Sequence, residues 1–166
     1  MDKENGNMLM ISYIEVIKEI KRLQQELINI TKEIKIGSID LGEKKLKEQQ
    51  LEETKKNYDM QLRTLAILKK DGLKVHEEIL KSAEKEIILL FKKRNNLTGQ
   101  IIQTKSDIAE QECKNEELEL QKNITIKTLK FQYSKKEILE NSLFENKNNE
   151  SNSNQLKKVF KDTIKH

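Results

Sequence analysis

From Leu9 to Ile34 the apolar residues fall at Leu9, Tyr13, Val16, Ile20, Leu23, Leu27, Ile30 and Ile34, in alternating steps of four and three. An average spacing near 3.5 keeps one apolar stripe turned toward a neighbouring helix, which is the seam of a coiled coil. The pattern predicts a first coiled-coil helix over residues 8–36, behind a frayed polar lead at 1–7. With Tyr13, Ile20, Leu27 and Ile34 at position a of the heptad, the g positions read Ser12, Glu19, Glu26 and Glu33. A parallel second copy would set those glutamates against Gln24, Thr31 and Ser38, which carry no positive charge. An antiparallel copy would bring glutamate toward glutamate, which costs free energy. A different helix offering Lys or Arg suits this face better. Ile14, Ile17 and Ile28 widen the stripe and point to a bundle of at least three strands.

Downstream, Gly37, Ser38, Asp40 and Gly42 cluster in a short space, so residues 37–42 are the expected loop and antiparallel reversal. Long coiled-coil helices are expected over 43–144, with a second candidate break at Asp71-Gly72. Within them Leu80, Ile87, Ile101 and Ile108 share one heptad position, while Leu90, Leu97 and Leu118 hold the companion position. Arg94, Thr104, Gln111 and Asn115 place polar side chains in that seam, where they lower stability but specify register and partner. Residues 124–133 alternate partly as a strand would, but no second strand is visible to pair with them, so helix is the expectation. Residues 145–155 are Asn- and Ser-rich and read as a flexible linker. A short amphipathic helix follows over 156–166, with Leu156, Val159, Phe160 and Ile164 as its docking residues. The fold class is all-α: elongated coiled-coil helices with a tethered terminal helix.

Composition narrows the picture further. Charged residues make up 36% of the chain and aromatics 4%, with no Pro and no Trp. So few large side chains do not fill an ordinary globular core, whereas thin seams between long helices need no more. The net charge is +4, from 32 basic and 28 acidic residues that are largely interspersed. Most of that surplus lies in the last twelve residues, where Lys157, Lys158, Lys161 and Lys165 face only Asp162. This tail is the one candidate for contact with nucleic acid. The single cysteine, Cys113, excludes an intrachain disulfide and fits a reducing, intracellular compartment. No signal peptide or membrane span is evident.

Catalytic chemistry finds no foothold in the sequence. The five glycines, at 6, 37, 42, 72 and 99, make no phosphate-cradling loop. His76 and His166 are far apart and lack carboxylates or Cys at metal-ligand spacing. The expectation is therefore no catalytic residue, no metal and no cofactor. Leu9 through Ile34 and Leu80, Ile87, Leu90, Leu97, Ile101, Ile108 and Leu118 are expected to form partner-helix interfaces instead.

Two stretches carry a family likeness: Glu78-Ile79-Leu80-Lys81-Ser82-Ala83-Glu84-Lys85-Glu86 and Leu156-Lys157-Lys158-Val159-Phe160-Lys161-Asp162-Thr163-Ile164. In them the chain resembles the centromere protein H family of inner-kinetochore coiled-coil subunits. It departs from that family in its Asn-rich linker and in lacking a Trp-bearing stretch after His166. The resemblance implies a nuclear, non-enzymatic subunit paired with another coiled-coil protein, linking centromeric chromatin to outer components in chromosome segregation. The same physics would serve a cytoskeletal or vesicle-tethering scaffold in the cytoplasm. A nucleic-acid binder using the basic tail is the third reading.

Overall fold

In the computed structural model, the residues described are 2–70 and 77–145, together with 157, 159 and 161. They form two long helices, α1 (Asp2–Lys70) and α2 (Glu77–Phe144), and no strand occurs among the described residues. The chain is all-α. Residues 124–133 are helical, as expected.

Two boundaries differ from the sequence reading. The lead is not frayed, because residues 2–7 already belong to α1. Glu4 sits in the first turn, where its negative charge meets the positive end of the helix dipole. Nor is there a loop at 37–42, because α1 runs straight through it. The reason is seam continuity. Gly37 falls three residues after Ile34 and Leu41 four after that, so the alternation of threes and fours is never interrupted. Burial of that stripe outweighs the turn preference of two glycines. Asp71-Gly72 and His76 lie outside the described residues, as do 146–155 of the linker and Leu156, Phe160 and Ile164. Lys157, Val159 and Lys161 are helical and exposed.

The helices divide into two packed units. In the first, α1 as far as Ile34 packs with α2 from Glu117 onward. Tyr13 meets Glu140 and Gln24 meets Tyr133, so partner numbers fall as α1 numbers rise and the two segments are antiparallel. Tyr13, Ile17 and Leu143 make one buried cluster, with Leu9, Met10, Leu139 and Phe144 against it. Val16, Ile20, Leu23 and Leu129 make the next, flanked by Leu27 and Leu139. The apolar stripe of the first helix is thus covered by the same chain. It does not wait for a foreign helix. Two of its three flanking glutamates are answered within α1: Arg22 pairs with Glu19 at 2.6 Å and with Glu26 at 3.0 Å. The hydrogen bond from Arg22 holds the Glu19 carboxyl below its ordinary range.

In the second unit, Lys35–Glu116, α1 and α2 segments are again antiparallel, with Lys45 against Glu112, Glu52 against Lys105, Asp59 against Arg94 and Lys69 against Glu84. Ala83, Leu90, Leu97, Ile101 and Ile108 are its buried apolar residues. Each half-exposed ion pair is worth about 0–1 kcal/mol, so these pairs select register more than they stabilise. The Arg94 Nε lies 2.6 Å from Asp59 Oδ1 as a close charge contact, but its N–H is not aimed along that line.

Gly37 has a packing role in this unit. It is buried, and the Asn115 Nδ2 donates to its carbonyl at 3.2 Å. Gln111 donates to Asn115 at 3.1 Å and accepts from Lys44 Nζ at 3.1 Å, which completes a polar layer across the seam. A Cβ at Gly37 would run into the Asn115 amide. Gly37→Ala is therefore expected to lower the melting temperature, because displacing a half-buried, hydrogen-bonded amide outweighs the gain in helix propensity. Gly42→Ala meets nothing within 4 Å and is expected to gain about 1 kcal/mol. Adding Asn115→Ala to Gly37→Ala should recover much of the loss in thermal melts. An unchanged loss would remove Asn115 as its cause.

Candidate partner-binding surface

Every seam residue expected to contact a partner helix lies in the described structure, and each is buried or half-buried there. Tyr13, Val16, Ile20, Leu23 and Ile30 are buried in the first unit, and Leu9, Leu27, Ile34 and Leu118 are half-buried. Leu90, Leu97, Ile101 and Ile108 are buried in the second unit, with Leu80 and Ile87 half-buried. The sequence reading assigned these side chains to a foreign helix; in the structure the buried ones are shielded within the chain itself. In a coiled coil, a residue that already fills a hole in the facing helix has no second face to offer.

Apolar surface that stays wet marks the alternative. On α2 in the first unit, Leu120, Ile124, Phe131 and Ile138 are each between 62% and 65% exposed. They follow one another in steps of four, seven and seven. At 3.6 residues per turn all four fall within about 40° of arc, while the buried Leu129 lies on the far side of the helix. This is a second, narrower seam on the outer face of α2. In the sequence the stripe is masked by the partial strand-like alternation at 124–133, which in the helix resolves into two stripes.

The charges along the stripe are mainly positive, with the exposed Glu119 and Glu137 beside its two ends. From Leu120 to Lys136 the chain holds Lys122, Lys127, Lys130, Lys135 and Lys136 and no Asp or Glu. Lys127, Lys130 and Lys135 are exposed, with Lys127 on the stripe itself and the other two beside it. Lys122 and Lys136 are half-buried on the seam side. Tyr133 is held off the stripe, where its hydroxyl accepts a 2.6 Å hydrogen bond from Gln24 Nε2. In the second unit Ile88, Phe91 and Ile102 are also exposed on α2, but Asn95 and Gly99 lie between them on that face and interrupt it.

The end of α2 has one further contact. Lys157 Nζ sits 5.5 Å from the centroid of the Phe144 ring, a cation–π distance. Of the expected docking residues of the terminal segment, Val159 alone is described, and it is 41% exposed.

Among the described residues no group of three His, Cys, Asp or Glu side chains converges as metal ligands, and Cys113 is exposed. Among them, too, no helix is long and apolar enough to cross a membrane. Comparison with protein-family models, curated proteins and solved structures finds no match to this chain.

Proposed function

We propose that this protein is a non-enzymatic coiled-coil subunit of a heteromeric helical assembly. Its inner seams hold its own two helices together, and its outer stripe receives another subunit. The observation that carries this reading is the heptad-spaced row Leu120, Ile124, Phe131 and Ile138, left in water on a helix whose opposite face is already packed. Burying a large apolar side chain contributes about 1.5–3 kcal/mol, so four in one row make a favourable helix-docking face. The resemblance to inner-kinetochore subunits supplies an address, the centromere in the nucleus, and a role in chromosome segregation.

The test is comparative purification from native cells. Companions that co-purify with the unaltered chain are expected to be lost from the Ile124→Ser, Phe131→Ser double variant at equal expression. Centromeric chromatin proteins among those lost companions support the kinetochore address. Cytoskeletal or vesicle-tethering proteins in their place would move the assembly elsewhere, and an identical set with both chains would remove the stripe as its docking face.

A further inference from the structure

We infer that the occupant of the outer stripe on α2 is an acidic amphipathic helix from another protein, one with heptad-spaced apolar residues bordered by Glu or Asp. This deepens the assembly reading and rests on it.

The argument begins with width. Leu120, Ile124, Phe131 and Ile138 span only about 40° of the helix, the width of a seam for one partner helix. A helix lying in a lipid interface needs a much broader apolar face, and here Lys127 interrupts the stripe itself. Phosphate recognition uses the lysines but leaves four exposed apolar residues at heptad spacing without a purpose. A helical partner uses both.

Charge then selects among helices. Partner residues that flank a seam lie beside the e and g positions of the facing helix and set its choice of mate. On this face Lys127, Lys130 and Lys135 flank the middle of the stripe, and the exposed carboxylates Glu119 and Glu137 stand only at its ends. A second copy of the same face would set lysines against lysines, which disfavours self-pairing. An acidic helix gains the same apolar burial and answers Lys127, Lys130 and Lys135 as well. The rim is solvent-exposed, so the lysines contribute selectivity and encounter rate more than affinity.

The experiment uses the full chain and three synthetic helical peptides with one Leu/Ile heptad core, flanked by Glu, by Gln or by Lys. Fluorescence anisotropy measures binding at low salt. The Glu-flanked peptide is expected to bind roughly 100-fold more tightly than the Lys-flanked one, with the Gln-flanked peptide between them. Phe131→Ser should abolish that binding with helicity unchanged. Lys127→Glu, Lys130→Glu, Lys135→Glu together should reverse the order of the peptides. If all three peptides bind alike and Phe131→Ser abolishes each, the acidic preference is overturned while the stripe remains a helix seam. If no peptide binds, the inference is overturned, and the assembly reading is then judged by co-purification alone. Binding to phosphatidylserine vesicles or duplex DNA that exceeds binding to every peptide would also overturn it. So would dimerisation of the chain that is lost with Phe131→Ser.

Discussion

Replacing Leu23 and Ile30 together by glutamate is expected to unfold the first unit. Both side chains are buried, and Leu23 sits in the cluster with Val16, Ile20 and Leu129. Each substitution forfeits about 1.5–3 kcal/mol of apolar burial. Each also sets a carboxylate into the seam without a partner, which costs several kcal/mol more unless the group takes up a proton. Together these terms are comparable with the whole stability of a small domain. Lys32→Ala, at an exposed position, should fall within about 0.5 kcal/mol of the unaltered chain. Native-state hydrogen exchange is the measurement of choice, read on α2 rather than on the altered helix. Loss of amide protection over Glu117–Phe144 is the expected result. Retained protection there would mean that the α1 stripe is not what α2 packs against.

The second large effect belongs to Tyr13, the largest fully buried side chain described. Its ring anchors the cluster with Ile17 and Leu143, and its hydroxyl donates a 2.6 Å hydrogen bond to Glu140 Oε1. Tyr13→Ala should cost about 3–5 kcal/mol, as expected when a buried aromatic ring is removed. Tyr13→Phe keeps the ring and loses the bond to a charged acceptor, for about 1.5–3 kcal/mol. It leaves Glu140 with Lys136 at 3.7 Å.

The same contact predicts a pH dependence. Burial first, then the Glu140 hydrogen bond, then the Glu140 charge push the Tyr13 phenol above its ordinary value of 10.0. The fold therefore favours the neutral phenol. The stability it draws from this is complete below about pH 10, where the unfolded chain also holds its proton. That stability is lost as pH rises from there toward the raised value. Between about pH 9 and pH 11, melting temperature should fall further for the unaltered chain than for Tyr13→Phe. Lysine titration is common to both chains, so equal falls would deny the phenol this role.

The inner seam was legible in the sequence from Leu9 to Ile34, because strict alternation of three and four has few other meanings. What covers it was not. Glu19 and Glu26 looked unanswered across a homodimer, but Arg22 answers them along the same helix, at three and four residues' remove. That leaves Glu33 alone of the three flanking glutamates to carry the charge argument for a foreign partner on this face. The break expected at 37–42 fails for a related reason. Past Ile34 the seam passes through Gly37, Lys44, Glu48 and Lys55, which an apolar count overlooks although spacing alone would have carried the stripe to Leu51, Tyr58, Leu62 and Leu65. Gly37 looks like a turn residue but serves as the hollow for Asn115.

The polar seam positions were visible as departures from the heptad, though not their partners. Lys44, Gln111, Asn115 and the Gly37 carbonyl meet across long sequence separation, which periodicity cannot supply. The outer stripe could have been found by asking whether the apolar residues of 118–143 fit one seam. They need two: Leu118, Leu129, Leu139 and Leu143 inside, and Leu120, Ile124, Phe131 and Ile138 outside.

The measurement that bears most directly on the account is a cross-link between Gln24→Cys and Tyr133→Cys in a Cys113→Ser background. Those two side chains touch in the structure, at 2.6 Å between Gln24 Nε2 and the Tyr133 hydroxyl. Isotopically light and heavy chains are mixed, refolded together and bridged with a short thiol-reactive linker before mass spectrometry. Bridges joining light only to light and heavy only to heavy are the predicted result, because each chain covers its own first helix. Light–heavy bridges at their statistical share would contradict it, since the seam would then be filled by a neighbouring molecule.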